Sequence, residues 1–281
     1  MQLKIGIAGP MSGPRRSYGD QIKATVARHR HRFQVTYGDD RAEPFAARAV
    51  AEDFVARGVH AVIGHFNSEC ARVAGGIYRR HDIPLLLPAS TAPGLADALG
   101  AFRLCSDEPS QIDAMVDWFE GSPHETGHLW HDSSVYGRRL AQAAQWQMSL
   151  RALPPRCGFV VGPVFLFGTH LRVAETINAL ISCGAQGPFI LCDDCSIDEF
   201  KDLVGDADRA EILIARPYPD FFAALRDGLD LIGQLDPALP LLAQLRAHRA
   251  FTDGESPSAG FALAPLAPAE PAAEPILAPC Q

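Results

Sequence analysis

The chain has 281 residues, 47% of them hydrophobic and 8% aromatic, which supplies apolar surface for one large or two moderate domains with real cores. Asp and Glu number 33 against 25 Lys and Arg, a net charge of −8, and that balance argues against a nucleic-acid partner, because phosphate binding needs a concentrated basic face. No window is apolar for long enough to cross a bilayer, and seven cysteines without regular spacing do not make a disulfide framework.

The chain enters its fold at once on LKIGIAG, an alternating apolar strand with no secretory leader before it. A cytoplasmic protein is therefore expected, or a periplasmic one if a leader has been removed. GPMSGPRRSYGDQ, residues 9 to 21, is rich in Gly and Pro and must turn tightly before a helix from Tyr18 to Arg28 that Ser17 or a neighbour caps. The run Arg28-His29-Arg30-His31-Arg32 falls at the end of that helix, where cations complement the dipole, so it reads as a solvated end and not as a phosphate site. FQVTYG, AVIGHF, PLLLPAS and HLWHD read as further strands, with helices from Ala42 to Arg57, Glu69 to Arg80 and Tyr136 to Leu150. Such alternation predicts an α/β protein with parallel sheets flanked by helices. In these sheets ligands bind beyond the carboxyl ends of the strands.

Two stretches stand at such ends. Asn67-Ser68-Glu69 follows AVIGHF, and Ala89-Ser90-Thr91-Ala92-Pro93 follows PLLLP. Each is expected to place a hydroxyl and unpaired backbone N–H groups at the start of a helix, which is a setting for an anion. One such residue alone is more often a simple cap. Two on adjacent strands point to a carboxylate site.

MSGPRRSYGDQ, DDRAEPFAARAVAEDFVARGVHAVIGH, IPLLLPASTAPGL, FRLCSDEPSQ and HDSSVYGRRLAQ, in this order, resemble the type I periplasmic-binding fold of the leucine/isoleucine/valine-binding protein family, over most of residues 3 to 217. The resemblance implies two α/β lobes with a ligand cleft between them and a hinge near Ser106 to Ser110. Residues 1–106 and 220–255 would form the first lobe and 107–219 a shortened second lobe, with a residual strand and tail over 256–281. It also implies Tyr18 at the mouth of the cleft, and Ser68, Ala89 and Thr91 on the ligand's α-carboxylate beside Ser90. Tyr136 matches the aromatic that closes over the ligand. Thr169 and His170 fall where the family usually places another aromatic, which is not kept. Asp193 matches the acid that pairs with the α-ammonium group, and Asp194 takes its place if the alignment slips by one. Phe66 and Tyr18 would make the side-chain pocket partly apolar. Asn67 and His170 add polar reach, so a small polar or amide-bearing amino acid suits as well as leucine.

ILCDDC sets Cys192 and Cys195 around two aspartates. Two thiolates are half a structural zinc site, and Cys70, Cys105, Cys157, Cys183 and Cys280 are scattered singly, so no metal and no cofactor is expected. A redox couple of the thioredoxin kind would open a helix in its own small domain. Incidental cysteines in a cleft-lining loop are the simpler reading, with zinc the sharper alternative. His128, His131, Asp132 and Ser133 follow closely, yet neighbours along a strand alternate faces and make no triad. No enzymatic activity is expected.

Departures from the family are equally informative. Exported members often carry a disulfide whose positions here correspond to Ala42 and Asn67, which fits a reducing compartment. Between Leu150 and GPVFLFG there is room for one strand, CGFVV, and the second lobe is expected to be one crossover smaller. After Pro219 two helices return to the first lobe, with the last strands reduced to scraps. APLAPAEPAAEPILAPCQ, residues 264 to 281, reads as a disordered or extended tail. The function expected is a solute-binding protein that captures an amino acid or amide for an ABC transporter permease. The alternative is a cytoplasmic sensor of the amide-sensing type that holds a regulatory partner protein, and a third reading is a scaffold that has lost its ligand. Retention of Ser68, Thr91, Tyr136 and Asp193 favours ligand binding.

Overall fold

The structure is a computed structural model that describes residues 2–29, 32–153, 162–257 and 259–266. CGFVV, the dense part of the basic run at Arg30 and His31, Cys157, Cys280 and the tail beyond Leu266 lie outside the described residues. The chain divides into two compact units, one of Met1–Pro123, Trp146–Met148 and Ala215–Leu263, the other of His124–Gln145, Ser149–Ile214 and the described end of the chain from Ala264.

In the first unit, strands β1 (Lys4–Gly9), β2 (Gln34–Asp39), β3 (Ala61–Ile63), β4 (Leu85–Leu87) and β5 (Phe102–Arg103) form one sheet in the order β2-β1-β3-β4-β5. All its registered pairs are parallel. Helices α1 (Arg16–Ala27), α2 (Pro44–Ala56), α3 (Ser68–Arg80) and α4 (Leu95–Leu99) make the crossovers, and α5 (Glu108–Gly121) follows β5. Side chains on β1 alternate faces as a strand must. Gly6 and Ala8 look toward α2 and α3, where the Phe54 ring lies over Gly6 and Gly38. Ala47, Ala51 and Phe54 of α2 meet Ala71, Ala74 and Tyr78 of α3 at helical spacing, a seam of small residues that lets the two helices approach closely. Ile5, Ile7 and Ile63 are fully buried, and α1 covers the other face.

A second sheet holds β6 (Gly127–His131), β7 (Leu150–Ala152), β8 (Val164–Phe167), β9 (Phe189–Leu191), β10 (Ile212–Tyr218) and β11 (Gly260–Pro265), in the order β11-β10-β9-β8-β6-β7. Every residue of β8 and β9 is buried, as parallel strands covered on both faces require. The helices are α6 (Val135–Gln147), α7 (His170–Ser182) and α8 (Glu199–Leu203). After β10, helices α9 (Phe221–Ile232) and α10 (Leu241–Arg246) return to the first unit, and α9 packs against α1 and β3.

Two local expectations change. Leu150 is not the end of a helix: α6 stops at Gln147, and Leu150–Ala152 pairs with β6 as the edge strand β7. The last strand is no scrap either. Ala264 and Pro265 close the six-residue β11, and Leu266 N donates to Ile212 O, so the Pro/Ala stretch begins as sheet edge, a place that tolerates proline. Among the described residues no helix is long and apolar enough to cross a membrane.

Candidate functional site

The carboxyl end of the first sheet gathers the residues expected to meet a carboxylate. Leaving β3, the chain passes Gly64 at φ 139°, where a Cβ would stand 2.2 Å from Ala8 O, so only glycine lets the next residues turn across β1. Phe66 then packs its ring on Phe222, centroids 6.0 Å apart. Asn67 caps α3 by accepting from Glu69 N and Cys70 N. Ser68 opens the helix, and its Oγ accepts from Ala92 N at 3.2 Å. That one contact draws the loop after β4 onto the start of α3.

Ser90 is fully buried and donates its hydroxyl to His65 O at 2.8 Å, while Thr91 O accepts from Glu108 N. Ala89, Ser90 and Thr91 do not start a helix. The five-residue α4 begins only at Leu95, after Gly94 at φ 66°, so the loop is held by its hydrogen bonds and offers no helix dipole. Ser17 does not cap α1 either: the helix begins at Arg16 directly from a tight turn over Gly13–Arg15, and Ser17 sits inside its first turn. Tyr18 is buried, with the Arg15 guanidinium 4.7 Å above its ring and Phe222 6.2 Å away.

Beneath this surface lies a network that the sequence did not announce. Asp40, His65 and Tyr78 are fully buried, with His65 Nδ1 2.6 Å from Asp40 Oδ2 and Nε2 3.2 Å from the Tyr78 hydroxyl. An ionised carboxylate only accepts, so the bond to Asp40 uses a hydrogen on Nδ1, and the Tyr78 hydroxyl stands within hydrogen-bond distance of Nε2. Burial first, and then the Asp40 charge, pushes the Tyr78 phenol above its ordinary range. Phe222 was missed as well. Its only sequence signal is a place in the first turn of α9, after the Asp220 cap.

In the second unit, Asp132 at the end of β6 organises the neighbouring loops. Its carboxylate accepts from Ser134 N at 3.0 Å and Thr169 N at 2.8 Å. Gly168, at φ 152°, leaves room for it, since a Cβ there would meet Asp132 Cγ at 2.4 Å. Thr169 is the N-cap residue of α7 by position, without a side-chain cap bond. His170 is fully buried; its backbone N donates to Asp194 Oδ2 at 2.8 Å, and its ring lies between Asp194 at 3.1 Å and Glu199 at 3.2 Å. Asp194 thus stands at Nδ1 and Glu199 at Nε2, one carboxylate within hydrogen-bond distance of each ring nitrogen.

Asp193 and Tyr136 come together: the Tyr136 hydroxyl donates to Asp193 Oδ1. Burial, followed by the Asp193 charge, pushes the phenol well above its ordinary range, which keeps it a donor. Asp193 to Cys195 form a single tight turn, and Asp193 is only 3% exposed. Asp194 serves His170 while Asp193 serves Tyr136, so the two adjacent acids do different work. Among the described residues no group of three His, Cys, Asp or Glu side chains is arranged to hold a metal ion.

A family model described as "Periplasmic binding protein" matches residues 2–165. Leu/Ile/Val-binding protein homolog 2 of Brucella abortus is 28% identical over 253 residues, covering 77% of this chain and 67% of that protein. The Leu/Ile/Val-binding protein of Escherichia coli K12 is 32% identical over 160 residues, covering 51% of this chain and 43% of the relative. The chain thus spans about two thirds of the Brucella relative and less than half of the E. coli one. Among solved structures, the branched-chain amino acid transporter substrate binding protein LivJ of Streptococcus pneumoniae, in complex with isoleucine, superposes with a TM-score of 0.80 at 15% identity, over 94% of this chain and 100% of that one. An ABC transporter substrate-binding protein of Desulfitobacterium hafniense, in complex with Leu, gives 0.72 at 22% identity, over 94% and 96%. At these identities the likeness is one of fold, and it agrees with the two α/β sheets described above. The chain belongs to the periplasmic binding protein family and has the type I periplasmic-binding fold.

Proposed function

We propose that the chain is a solute-binding protein that captures a small amino acid for an ABC transporter. The Ser68–Ala92 contact carries this reading, because it places a hydroxyl, a helix start and the Ser90–Thr91 loop on one edge of the first unit. Ser68 and Thr91 would receive the ligand's carboxylate there. Asp193, oriented by Tyr136, would receive an ammonium group. His170 contributes by holding Asp194, and Tyr18, Phe66 and Phe222 supply an apolar wall. Relatives named for leucine, isoleucine and valine support the transport reading over the amide sensor. The family's name points to the periplasm, and fractionation of cells carrying the full-length protein decides between that compartment and the cytoplasm.

The test is isothermal titration with leucine, isoleucine and valine, and with the matched carboxylic acid that lacks the amine. Asp193→Asn is expected to cost about 1.5–3 kcal/mol for the amino acid and little for the acid, since a charge-assisted hydrogen bond becomes a neutral one. Ser68→Ala with Thr91→Ala should cost about 2–4 kcal/mol for both. Equal losses for the two ligands in Asp193→Asn would reduce Asp193 to a structural role. Absence of any amino-acid or amide binding would remove the proposal.

A further inference from the structure

The function proposed above leaves Cys192 and Cys195 unused. Both are buried, at 0% and 1% exposure, and both are free thiols. They bracket one tight turn in which Cys195 N donates to Cys192 O at 3.1 Å. A turn closed by that bond brings the first and fourth Cα atoms within the separation that a disulfide spans. The side chains meet as well. The Cys192 thiol donates to Gly168 O at 3.2 Å and accepts from Gly168 N at 3.4 Å, and the Cys195 thiol hydrogen-bonds to Cys192. Asp193 and Asp194, the two acids with assigned partners, are the only residues between them.

We infer that Cys192 and Cys195 are a disulfide-forming pair, closing a covalent clasp around the turn that presents Asp193 and Asp194. The oxidant is a dithiol-oxidising disulfide, on a protein or a small molecule. One cysteine thiolate attacks it to give a mixed disulfide and release one thiolate. The second cysteine thiolate then attacks the mixed disulfide, and the second thiolate leaves. One S–S bond forms, the oxidant's S–S bond breaks, and the protons lost by the two cysteines end on the two released sulfurs. The bond removes the Cys192 thiol's donation to Gly168 O and leaves the backbone turn in place.

Burial decides when this happens. Within the folded unit the Cys195 thiol is pushed well above its ordinary value, by burial first and then by Cys192 and the two aspartates, so it is a poor nucleophile. The clasp is therefore acquired during folding, before the turn is covered, and is shielded from reductants afterwards. The inference rests on the proposed function only in taking an oxidising compartment as the place of folding.

The full chain, refolded from denaturant with oxidised glutathione, is expected to yield a peptide carrying Cys192 and Cys195 that is lighter by two hydrogens and resists alkylation until reduced. Reduced protein that is already folded should stay a dithiol in the same reagent. Reduction of the clasped form under denaturing conditions, followed by refolding without oxidant, should lower the melting midpoint to that of Cys192→Ser with Cys195→Ser. Alkylation of both cysteines in the refolded, unreduced protein would overturn the clasp, and so would an unchanged midpoint. Titration of both forms with a panel of amino acids and their amides separates the two claims: a clasp with no member of the panel bound sinks the amino-acid reading alone, and binding without a clasp sinks this inference alone.

Discussion

At the scale of single residues, the loops after the strands are set by carboxylates that accept backbone hydrogens. Asp39, the last residue of β2, accepts from Met11 N at 2.9 Å, Ser12 Oγ at 2.5 Å and Arg41 N at 3.1 Å, and so holds the Pro-rich turn after β1 in place. Partial burial pulls its pKa upward, but these hydrogen bonds outweigh burial and leave it below the ordinary carboxylate value of 3.8. A depressed carboxylate stabilises the fold above its unfolded pKa, and that stabilisation is lost as pH falls through the native one. Asp39→Asn should therefore be less stable than wild type at pH 7, on the order of 1 kcal/mol, with the gap closing as pH falls below 3.8. Urea melts across that range check it, and a gap independent of pH would show that shape and not charge is what matters. Asp193 and His170 mark the limit of reading residues singly. The sequence pointed to both, but that Asp193 pairs with Tyr136 and His170 with Asp194 and Glu199 follows from loops that meet only in the folded unit.

Among the elements, those with strong periodicity were legible and short edges were not. α3 is an example of the first kind: its buried positions Cys70, Ala71, Ala74, Ile77 and Tyr78 repeat at helical spacing, and Asn67 announces its start. Asn67→Ala removes an acceptor that serves two backbone N–H groups and should destabilise the protein by about 0.5–2 kcal/mol, whereas Asn67→Asp should cost little. Denaturant midpoints of the two variants make the comparison, and equal losses would deny Asn67 a capping role. β7 is an example of the second kind. Its three residues continue an apolar pattern that suits a helix, and what makes them a strand is pairing with β6, reinforced by Gly127 N donating to Ser149 O. No local signal carries such a partner. The same holds for Ala264 and Pro265, whose composition suggested a tail while the hydrogen bond from Leu266 N to Ile212 O keeps that end of the chain against β10. The loop at Ala89–Ala92 departs from the helix start for a related reason: hydrogen bonds that join Ser90, Thr91 and Ala92 to distant residues replaced what its serine and threonine implied.

At the scale of the molecule, the chain must come back to its first unit after completing the second, and one side chain ties that return. Arg103 is 2% exposed at the end of β5, and its guanidinium meets both oxygens of Glu255, 152 positions later, at 2.6 Å each. Its remaining terminal nitrogen donates to Ala92 O at 2.8 Å. Burial alone would lower the guanidinium's pKa, but the Glu255 hydrogen bonds and charge raise it, so the cation is secure. The same group thus joins the returning segment to the loop that carries Thr91. Glu255→Ala leaves a buried cation without its main partner and should destabilise the protein by about 1.5–3 kcal/mol, less than for a fully buried pair because Glu255 is 40% exposed. In a domain of this size that corresponds to a melting midpoint lowered by roughly 3–12 °C. If the Ala92 contact transmits the loss, ligand affinity should fall as well, while Glu255→Gln, which keeps one acceptor, should lose less of both. A variant that melts early yet binds its ligand with unchanged affinity would show that the loop is held by Ser68 and His65 without help from Arg103.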